Sequence, residues 1–392
     1  MHPTPTGVDR VEMAYATELL KLTPDAVHFA VTHPAGLHGR VSKPAAIDFL
    51  TMTAERWESE GQNETRAARL RRAASACWAL TPDLSRPPPP PASGRSRAYL
   101  HLSARSLERT DMFRAILKRE QAKFFPFVHD IIPLTHPEYS RPDGPAMYRR
   151  KMATVTALAS GVIVNSQATA LALAPLLEAA GRDIPIHAAP LGVDLPKDAV
   201  SPPAGGASDE RPYFVCVGTI EPRKNHLLLL NVWRRFVDTM GAEATPRLIL
   251  IGRRGWENEM VLDMLDRCPA LRGVVEERGR LSDAEQRRVI RGARAMLMPS
   301  FVEGFGLPVA EALALGTPVI ASDLPALREA GGDAADYLDP LDGAGWAEAI
   351  LDHTREQTSQ RTVRAEQNTR WRPPTWAGHV GSALGFINET YA

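Results

Sequence analysis

From residue 213 onward the chain alternates short, wholly apolar runs with longer segments whose apolar positions recur every three or four residues. Y-F-V-C-V-G at 213–218, R-L-I-L-I-G at 247–252, A-M-L-M-P at 295–299 and P-V-I-A at 318–321 read as buried strands, with Val274 and Val275 as a shorter one. Residues 227–240, 261–265, 284–293 and 309–315 carry the helical spacing. Strands apolar on both faces, separated by helices, predict a doubly wound parallel sheet. The first half repeats the pattern less cleanly. Strands are predicted at 26–31, 124–129 and 161–165, and helices over 8–20, 107–122 and 146–159. The sequence contains no repeat of solenoid period.

Two stretches interrupt this pattern. Residues 87–91 are consecutive prolines, a stiff polyproline II segment. It reads as a surface loop inside one domain, because the apolar segments beside it are short for separate domains. Residues 201–208, S-P-P-A-G-G-A-S, are small and lack apolar periodicity, so they read as an interdomain linker. The expected architecture is α/β, with two Rossmann-like domains facing across a cleft. Ligands bind in such clefts.

Composition narrows the function. Shares of 44% hydrophobic and 23% charged residues exclude a disordered chain and a coiled coil. Forty-six basic against 46 acidic residues leave no net charge, which argues against a dedicated nucleic-acid binder. Cys77, Cys216 and Cys268 lack C-x-x-C spacing, so neither a disulfide framework nor a zinc site is expected, and the compartment reads as reducing. No apolar run approaches the roughly 20 residues that cross a bilayer. The N-terminus lacks the regions of a signal peptide. We expect a cytoplasmic protein, free to visit a membrane surface.

Two constellations carry candidate chemistry. G-T-I-E-P-R-K-N-H at 218–226 follows a strand and opens a helix. Arg223 and Lys224 sit beside the partial positive charge of that helix's N-terminus. An anion held by both cations and by backbone N–H groups would remove the conflict, which points to diphosphate; two solvated surface cations are the alternative. E-G-F-G-L-P-V-A-E at 303–311 follows another strand. Pro308 suits the first helical position, placing Glu311 in the first turn and Glu303 in the loop before it. Gly304 and Gly306 allow close approach of a ligand to the backbone, and the two carboxylates can accept hydrogen bonds from hydroxyls. For Glu311 the alternative is a charge complementing the helix dipole.

These segments resemble the C-terminal domain of retaining glycosyltransferases of family 4, which have the GT-B fold. The resemblance is carried by G-T-x-x-P-R-K-N from Gly218, by the two glutamates Glu303 and Glu311, by G-R-L-S-D at 279–283 and by G-T-P-V-I-A-S at 316–322. It spans roughly residues 213–340, and two stretches of the first half, T-G-V-D-R-V from Thr6 and H-D-I-I-P-L-x-H-P-E-Y from His129, look most like bacterial exopolysaccharide mannosyltransferases. In the first half, T-G-V-D-R-V at 6–11 resembles the family's glycine loop, H-D-I-I-P-L at 129–134 its H-D-x-x-P segment, and V-N-S-Q-A-T at 164–169 a further one. The resemblance implies an acceptor-binding N-terminal domain over 1–200, a nucleotide-sugar domain over 209–372, and a terminal helix over 373–392 that crosses back to the first domain. The family's first strand precedes its glycine loop, and no residues remain for it ahead of Gly7. An apolar strand encoded upstream is therefore expected.

The resemblance further implies transfer of a sugar from a nucleoside diphosphate, with retained anomeric configuration. Arg223 and Lys224 would stabilise the departing diphosphate. Glu303 would hold donor-sugar hydroxyls, Glu311 the ribose, Leu281 the base through its backbone, and His129 the sugar from the opposite domain. Gly7, Gly218, Gly304, Phe305, Gly306 and Leu307 would complete the donor site. Trp256 is placed either in this pocket or as a packed loop aromatic, and His136 as a loop residue. No D-x-D pair occurs, and neither metal nor cofactor is expected beyond the nucleotide sugar as co-substrate. GDP-mannose is the expected donor, with UDP-glucose or another nucleotide sugar as the alternative; a GT-B nucleotide-sugar epimerase would share the fold. The expected acceptor is a polyprenyl-diphosphate-linked or oligosaccharide glycan, in bacterial surface or exopolysaccharide synthesis. For contact with the inner face of the cell membrane, the candidate is the basic segment 105–123, with Arg105, Arg109, Arg114, Lys118, Arg119 and Lys123; Glu108, Asp111 and Glu120 dilute that charge, and a solvated face is the alternative.

Overall fold

The computed structural model describes residues 5–32, 38–59, 66–82, 96–193, 211–279, 281–355 and 371–391. The predicted linker at 201–208, the proline run at 87–91 and Arg280 lie outside these residues. A small antiparallel pair, β1 (Ala30–Thr32) and β2 (His38–Arg40), stands apart from two parallel sheets. The first sheet contains β3 (Arg97–His101), β4 (Ala122–Val128), β5 (Val162–Val164) and β6 (Ile186–Ala188), in that order. The second contains β7 (Tyr213–Val217), β8 (Arg247–Ile251), β9 (Val275–Arg278), β10 (Met296–Met298), β11 (Val319–Ser322) and β12 (Asp336–Leu338). Its spatial order is β12-β11-β10-β7-β8-β9, all parallel. Counted from β7 this is the Rossmann order 3-2-1-4-5-6, with its topological switch between β7 and β10.

The second sheet forms as its apolar runs dictate. Phe214, Val215, Cys216 and Val217 are buried, as are Leu248 to Ile251 on the neighbouring strand. The helix His226–Met240 covers one face with Leu229, Trp233 and Phe236, spaced as helical periodicity requires. Trp233 satisfies its indole by donating to Pro246 O at 2.8 Å.

Several details depart from expectation. The strand predicted at 26–31 is reduced to β1, whose burial is exposed-intermediate-exposed. Among the described residues it pairs only with β2. β3 and β6 were not predicted: R-A-Y-L-H mixes polar and apolar positions, and I-H-A is too short to show a pattern. The helix predicted over 107–122 is Thr110–Glu120; Gln121 turns left-handed at φ 50°, and β4 begins at the next residue.

The basic segment also differs. Phe113 and Ile116 of helix Thr110–Glu120 are buried in the N-terminal core, so the helix has no apolar face to offer a bilayer. Lys123 donates to Thr390 O at 3.0 Å and lies 4.1 Å from the Tyr391 ring centroid. Arg119 donates to Glu120 and to His38 O, Arg114 to Asp111, and Arg105 lies 3.7 Å from Asp9. Most of these cations are tied to their own chain.

The helix Trp376–Tyr391 packs on the first sheet. Its Phe386 meets Phe125 edge-on at 6.2 Å and stacks on His187 at 5.0 Å. His379 Nδ1 donates to Pro190 O at 3.0 Å, which leaves Nε2 to accept from the Tyr15 hydroxyl at 2.9 Å. Tyr15 belongs to helix Gly7–Leu22, so this helix, the first sheet and the terminal helix form one unit. None of the helices among the described residues is long and apolar enough to cross a membrane.

Candidate active site

A cleft of about 770 Å³ opens between the carboxyl ends of the two sheets. Its floor on the second domain is the loop after β7 and the loop after β10, the two that flank the topological switch. Arg223 and Lys224 lie on a short 3-10 turn, Pro222–Lys224, that the left-handed Asn225 (φ 53°) joins to helix His226–Met240. Gly218, at φ 147°, passes 3.3 Å from the Lys224 chain as judged by a Cβ built upon it. A built Cβ on Gly252, after β8, would fall 1.9 Å from Gly218 O. The loops after β7 and β8 therefore touch backbone to backbone, and only glycine fits there.

The anion that the two cations require is, in this state, Glu303. Lys224 Nζ meets its Oε1 at 2.6 Å and Arg223 Nη1 its Oε2 at 2.7 Å. Ser300 Oγ donates to Oε1 at 2.7 Å. Arg223 Nε also pairs with Glu221 at 2.6 Å. Burial alone would raise the Glu303 carboxyl, but the charges of Arg223 and Lys224 and the hydrogen bonds hold it down at about 2. Burial likewise works against the Arg223 guanidinium, yet Glu303, Glu221 and Asp130 keep it firmly charged.

Helix Leu307–Ala314 begins one residue before Pro308, capped by Gly306 at φ 101°. Glu311 is consequently past the first turn, and dipole complementation does not account for it. Burial raises its pKa, against the pull of Arg10. Phe305 and Leu307 are buried in the core and border the cleft. Leu281 packs on the same core and lines the cleft.

On the first domain, Thr6 caps helix Gly7–Leu22 in a capping box with Asp9, so the predicted glycine loop is already helical at Gly7. The space beside Gly7 is open: nothing lies within 4 Å of a Cβ built there. His129 follows β4. Its Nε2 donates to Leu102 O at 2.7 Å, which leaves Nδ1 as an acceptor in the neutral ring. Burial lowers its pKa and keeps the imidazole neutral. His129, Gly7, Arg223, Lys224, Glu303 and Glu311 all line the cleft, as does Trp256. His136 stays outside, stacked on Tyr139.

The domains meet closely here. Ser166 and Thr169 donate to Gly304 O at 2.6 and 3.1 Å. Glu329 accepts from Gln167 N and Ala168 N at 2.6 and 2.7 Å, across the same junction. Tyr139 stacks on Phe301 at 5.4 Å with an interplanar angle of 3°.

Three residues in the cleft were not singled out from sequence. Arg10 donates to both Asp283 oxygens, at 3.0 and 2.6 Å, and lies 3.9 Å from Glu311. Its partners are 273 and more residues away, so no local signal marks this pairing. Asn165 is 4% exposed and its Oδ1 has no hydrogen-bond partner among the described residues. Asp130, beside His129, presses the Tyr148 hydroxyl towards its protonated form. All three sit inside the quoted motifs, yet their roles depend on what the fold places opposite them.

Residues 211–355 match the family model described as glycosyl transferases group 1. The chain is 33% identical over 177 residues to the O-antigen chain mannosyltransferase B of Escherichia coli, covering 45% of this chain and 42% of that protein. It is also 33% identical over 166 residues to the phosphatidyl-myo-inositol mannosyltransferase of Mycolicibacterium smegmatis, 41% of each. The matches thus span about two-fifths of these relatives' length. Among solved structures, sucrose-phosphate synthase from Thermosynechococcus elongatus superposes with a TM-score of 0.61 at 15% identity, covering 98% of this chain and 92% of that one. Anabaena HepE in complex with UDP-glucose superposes at 0.58 with 15% identity, covering 74% and 78%. At such identities the likeness concerns the fold alone, and that fold is GT-B. Residues 211–355 are thus similar to glycosyl transferases group 1 and form the second half of a chain with the GT-B fold.

Proposed function

We propose that this protein is a retaining glycosyltransferase that moves a hexose from a nucleoside diphosphate to a glycan acceptor. The observation that carries this reading is the convergence of Arg223 and Lys224 on one buried carboxylate at the switch point of the second sheet. An arriving diphosphate offers the same cations a second anion. Glu303 is then released from part of its pairing and is free to accept from sugar hydroxyls. As the bond to the sugar breaks, negative charge grows on the leaving phosphate, and the two cations stabilise it where it develops. His129, neutral and with Nδ1 open as an acceptor, holds a sugar hydroxyl from the facing domain. The acceptor hydroxyl attacks from the leaving-group side and passes its proton to the departing phosphate. Because charge stabilisation is supplied by side chains, turnover is expected to survive a chelator; loss of activity on chelation, restored by a divalent cation, would overturn that part.

GDP-mannose is the proposed donor and a lipid-linked or oligosaccharide glycan the proposed acceptor. Relatives at 33% identity are described as mannosyltransferases, whereas the structure described with UDP-glucose shares only 15%. A donor screen scored by nucleoside diphosphate release, with and without lipid-linked acceptor, tests this. UDP release would favour glucose or a related donor, and epimerised free nucleotide sugar would turn the reading to an isomerase.

The state of His129 sets a pH expectation. Its pKa lies below the usual 6.5, so the neutral acceptor form persists down to that pH and is lost only beneath it. Turnover should stay level down to pH 6.5 and fall further into acid. An acid limb at or above 6.5 that disappears in His129→Asn would show that the imidazole titrates as an ordinary one.

A further inference from the structure

We propose that Arg10, reaching across the cleft from the first domain, is a positioning residue for the nucleoside end of the donor: it faces Glu311 with a guanidinium held just out of hydrogen-bond reach, which leaves both carboxylate oxygens to the ribose hydroxyls. This rests on the reading that a nucleoside diphosphate fills the cleft and that Glu311, as the family resemblance implies, meets its ribose. Arg10 lies on the first turns of helix Gly7–Leu22, where the helix borders the cleft. Its Nη1 and Nη2 donate to the two Asp283 oxygens at 3.0 and 2.6 Å, and its Nε stops 3.9 Å from Glu311 Oε1. That last distance transmits charge but is too long for a hydrogen bond. Among the described residues Glu311 accepts no hydrogen bond. Glu303 is the opposite case, with its oxygens taken up by Arg223, Lys224 and Ser300.

Asp283 is what fixes the guanidinium at this distance. A bidentate pair sets the plane of the fork as well as its place. Asp283 opens helix Asp283–Gly292, whose start is locked by the capping box of Ser282 and Glu285. The side chains of Arg10, Asp283 and Glu311 are 24, 14 and 20% exposed, so water screens the group little. Two carboxylates therefore share one cation in a largely buried place. Without Arg10 they would face each other, and like charges so placed oppose ionisation. Burial already pushes the Glu311 carboxyl above 4.5; Arg10 pulls it back, Asp283 pushes it further up, and Arg287 pulls it down. Those three are the charged groups that bear on Glu311 among the described residues. Arg287 is itself paired with Glu58, so part of its charge is engaged elsewhere. An ionised carboxyl accepts from both hydroxyls of a vicinal diol, whereas a protonated one turns an oxygen into a donor and loses that match. The acceptor that the second domain offers to ribose is thus maintained chiefly from the first domain.

The test is calorimetric binding of GDP and of 2′,3′-dideoxy-GDP to the full chain. UDP and 2′,3′-dideoxy-UDP are run alongside, because Glu311 addresses the ribose and not the base. The native chain should prefer the hydroxylated nucleotide by about tenfold or more. Arg10→Met should abolish most of that preference: the hydroxylated nucleotide weakens towards the dideoxy form, which binds as it does to the native chain. Losses that fail to add mark two changes acting on one contact. The deficit of Arg10→Met against the native chain should shrink as the pH rises from about 6 to about 9, because the Glu311 carboxyl ionises again. Arg10→Lys keeps the charge and should recover most of the affinity. Asp283→Asn severs the same interdomain pair but removes a negative charge from beside Glu311, so it should weaken nucleotide binding less than Arg10→Met does. Equal weakening of the hydroxylated and dideoxy forms in Arg10→Met, a deficit that ignores pH, or equal losses in Arg10→Met and Asp283→Asn would overturn the assignment and leave the pair a domain latch. A native chain that binds both forms equally would take Glu311 off the ribose and Arg10 with it. A native chain that binds none of the four nucleotides would overturn the donor reading itself, an outcome separate from the other three.

Discussion

Arg223→Ala is expected to lower turnover by about 10²–10³, the usual loss when one donor to developing charge is removed. The structure adds a second effect. Glu303 is 6% exposed and depends on Arg223 and Lys224 to stay ionised. Removing one partner of a buried pair costs about 3–5 kcal/mol, and the 23% exposure of Arg223 places its own loss at or below the lower end. Lys224, 9% exposed, should cost more stability when changed to alanine. Rates must therefore be compared per folded molecule, with melting followed alongside. The sign of the acid dependence follows from the carboxyl, whose folded value of about 2 lies below its usual 4.5. Its pairing stabilises the fold fully above pH 4.5 and is lost as the pH falls towards 2. In Arg223→Ala the carboxyl is less depressed, so that loss should be smaller and complete at a higher pH. A folded variant with native turnover would remove Arg223 from the mechanism.

Gly304→Ala is expected to separate the domains. A Cβ at this position would lie 2.5 Å from His129 O and 3.2 Å from Asp130 Cβ, both on the facing domain. The first contact is with backbone and cannot be relieved by a rotamer. The hydroxyls of Ser166 and Thr169, which hold Gly304 O, would be pushed off with it. Each sheet lies away from this contact and should fold as before. The cleft should open by the distance needed to admit a methyl group, seen as a larger radius of gyration. Displacement by about 1 Å at reacting groups costs about 10²-fold in rate. Nucleotide binding to the second domain should survive, since Arg223 and Lys224 are untouched. Native turnover with an unchanged radius would mean that the closed junction is not the working state.

How much of this was legible beforehand depends on the range over which each feature is determined. The second sheet was readable because β7, β8, β10 and β11 are apolar on both faces, and a strand that reads as a continuous apolar run can be buried only between two helical layers. The cation pair Arg223–Lys224 was readable as well, because its conflict with the following helix N-terminus lies within a few residues. What resolves that conflict was not: Glu303 is 79 residues from Lys224 and meets it only through the adjacency of β7 and β10. Residues 105–123 show the same limit in the opposite sense. Their basic and apolar positions left a membrane-facing helix and a solvated one both open, because periodicity says which residues share a face and not which way that face points. The fold turned Phe113 and Ile116 inward and gave Lys123 to the terminal helix.

The sequence by itself determined the alternation of strands and helices and the loops that bring cations and glycines to strand ends. All of these are set by contacts within one turn or one strand. Only the tertiary structure decided that Arg10 reaches Asp283 and Glu311, that Gly304 must be bare to meet His129, and that His129 is held neutral with one nitrogen spent on Leu102. Each of those joins residues from different elements, most of them from different domains. Their energies depend on burial and on the field of groups brought close by closure, and neither exists in the chain until both sheets are built and face each other.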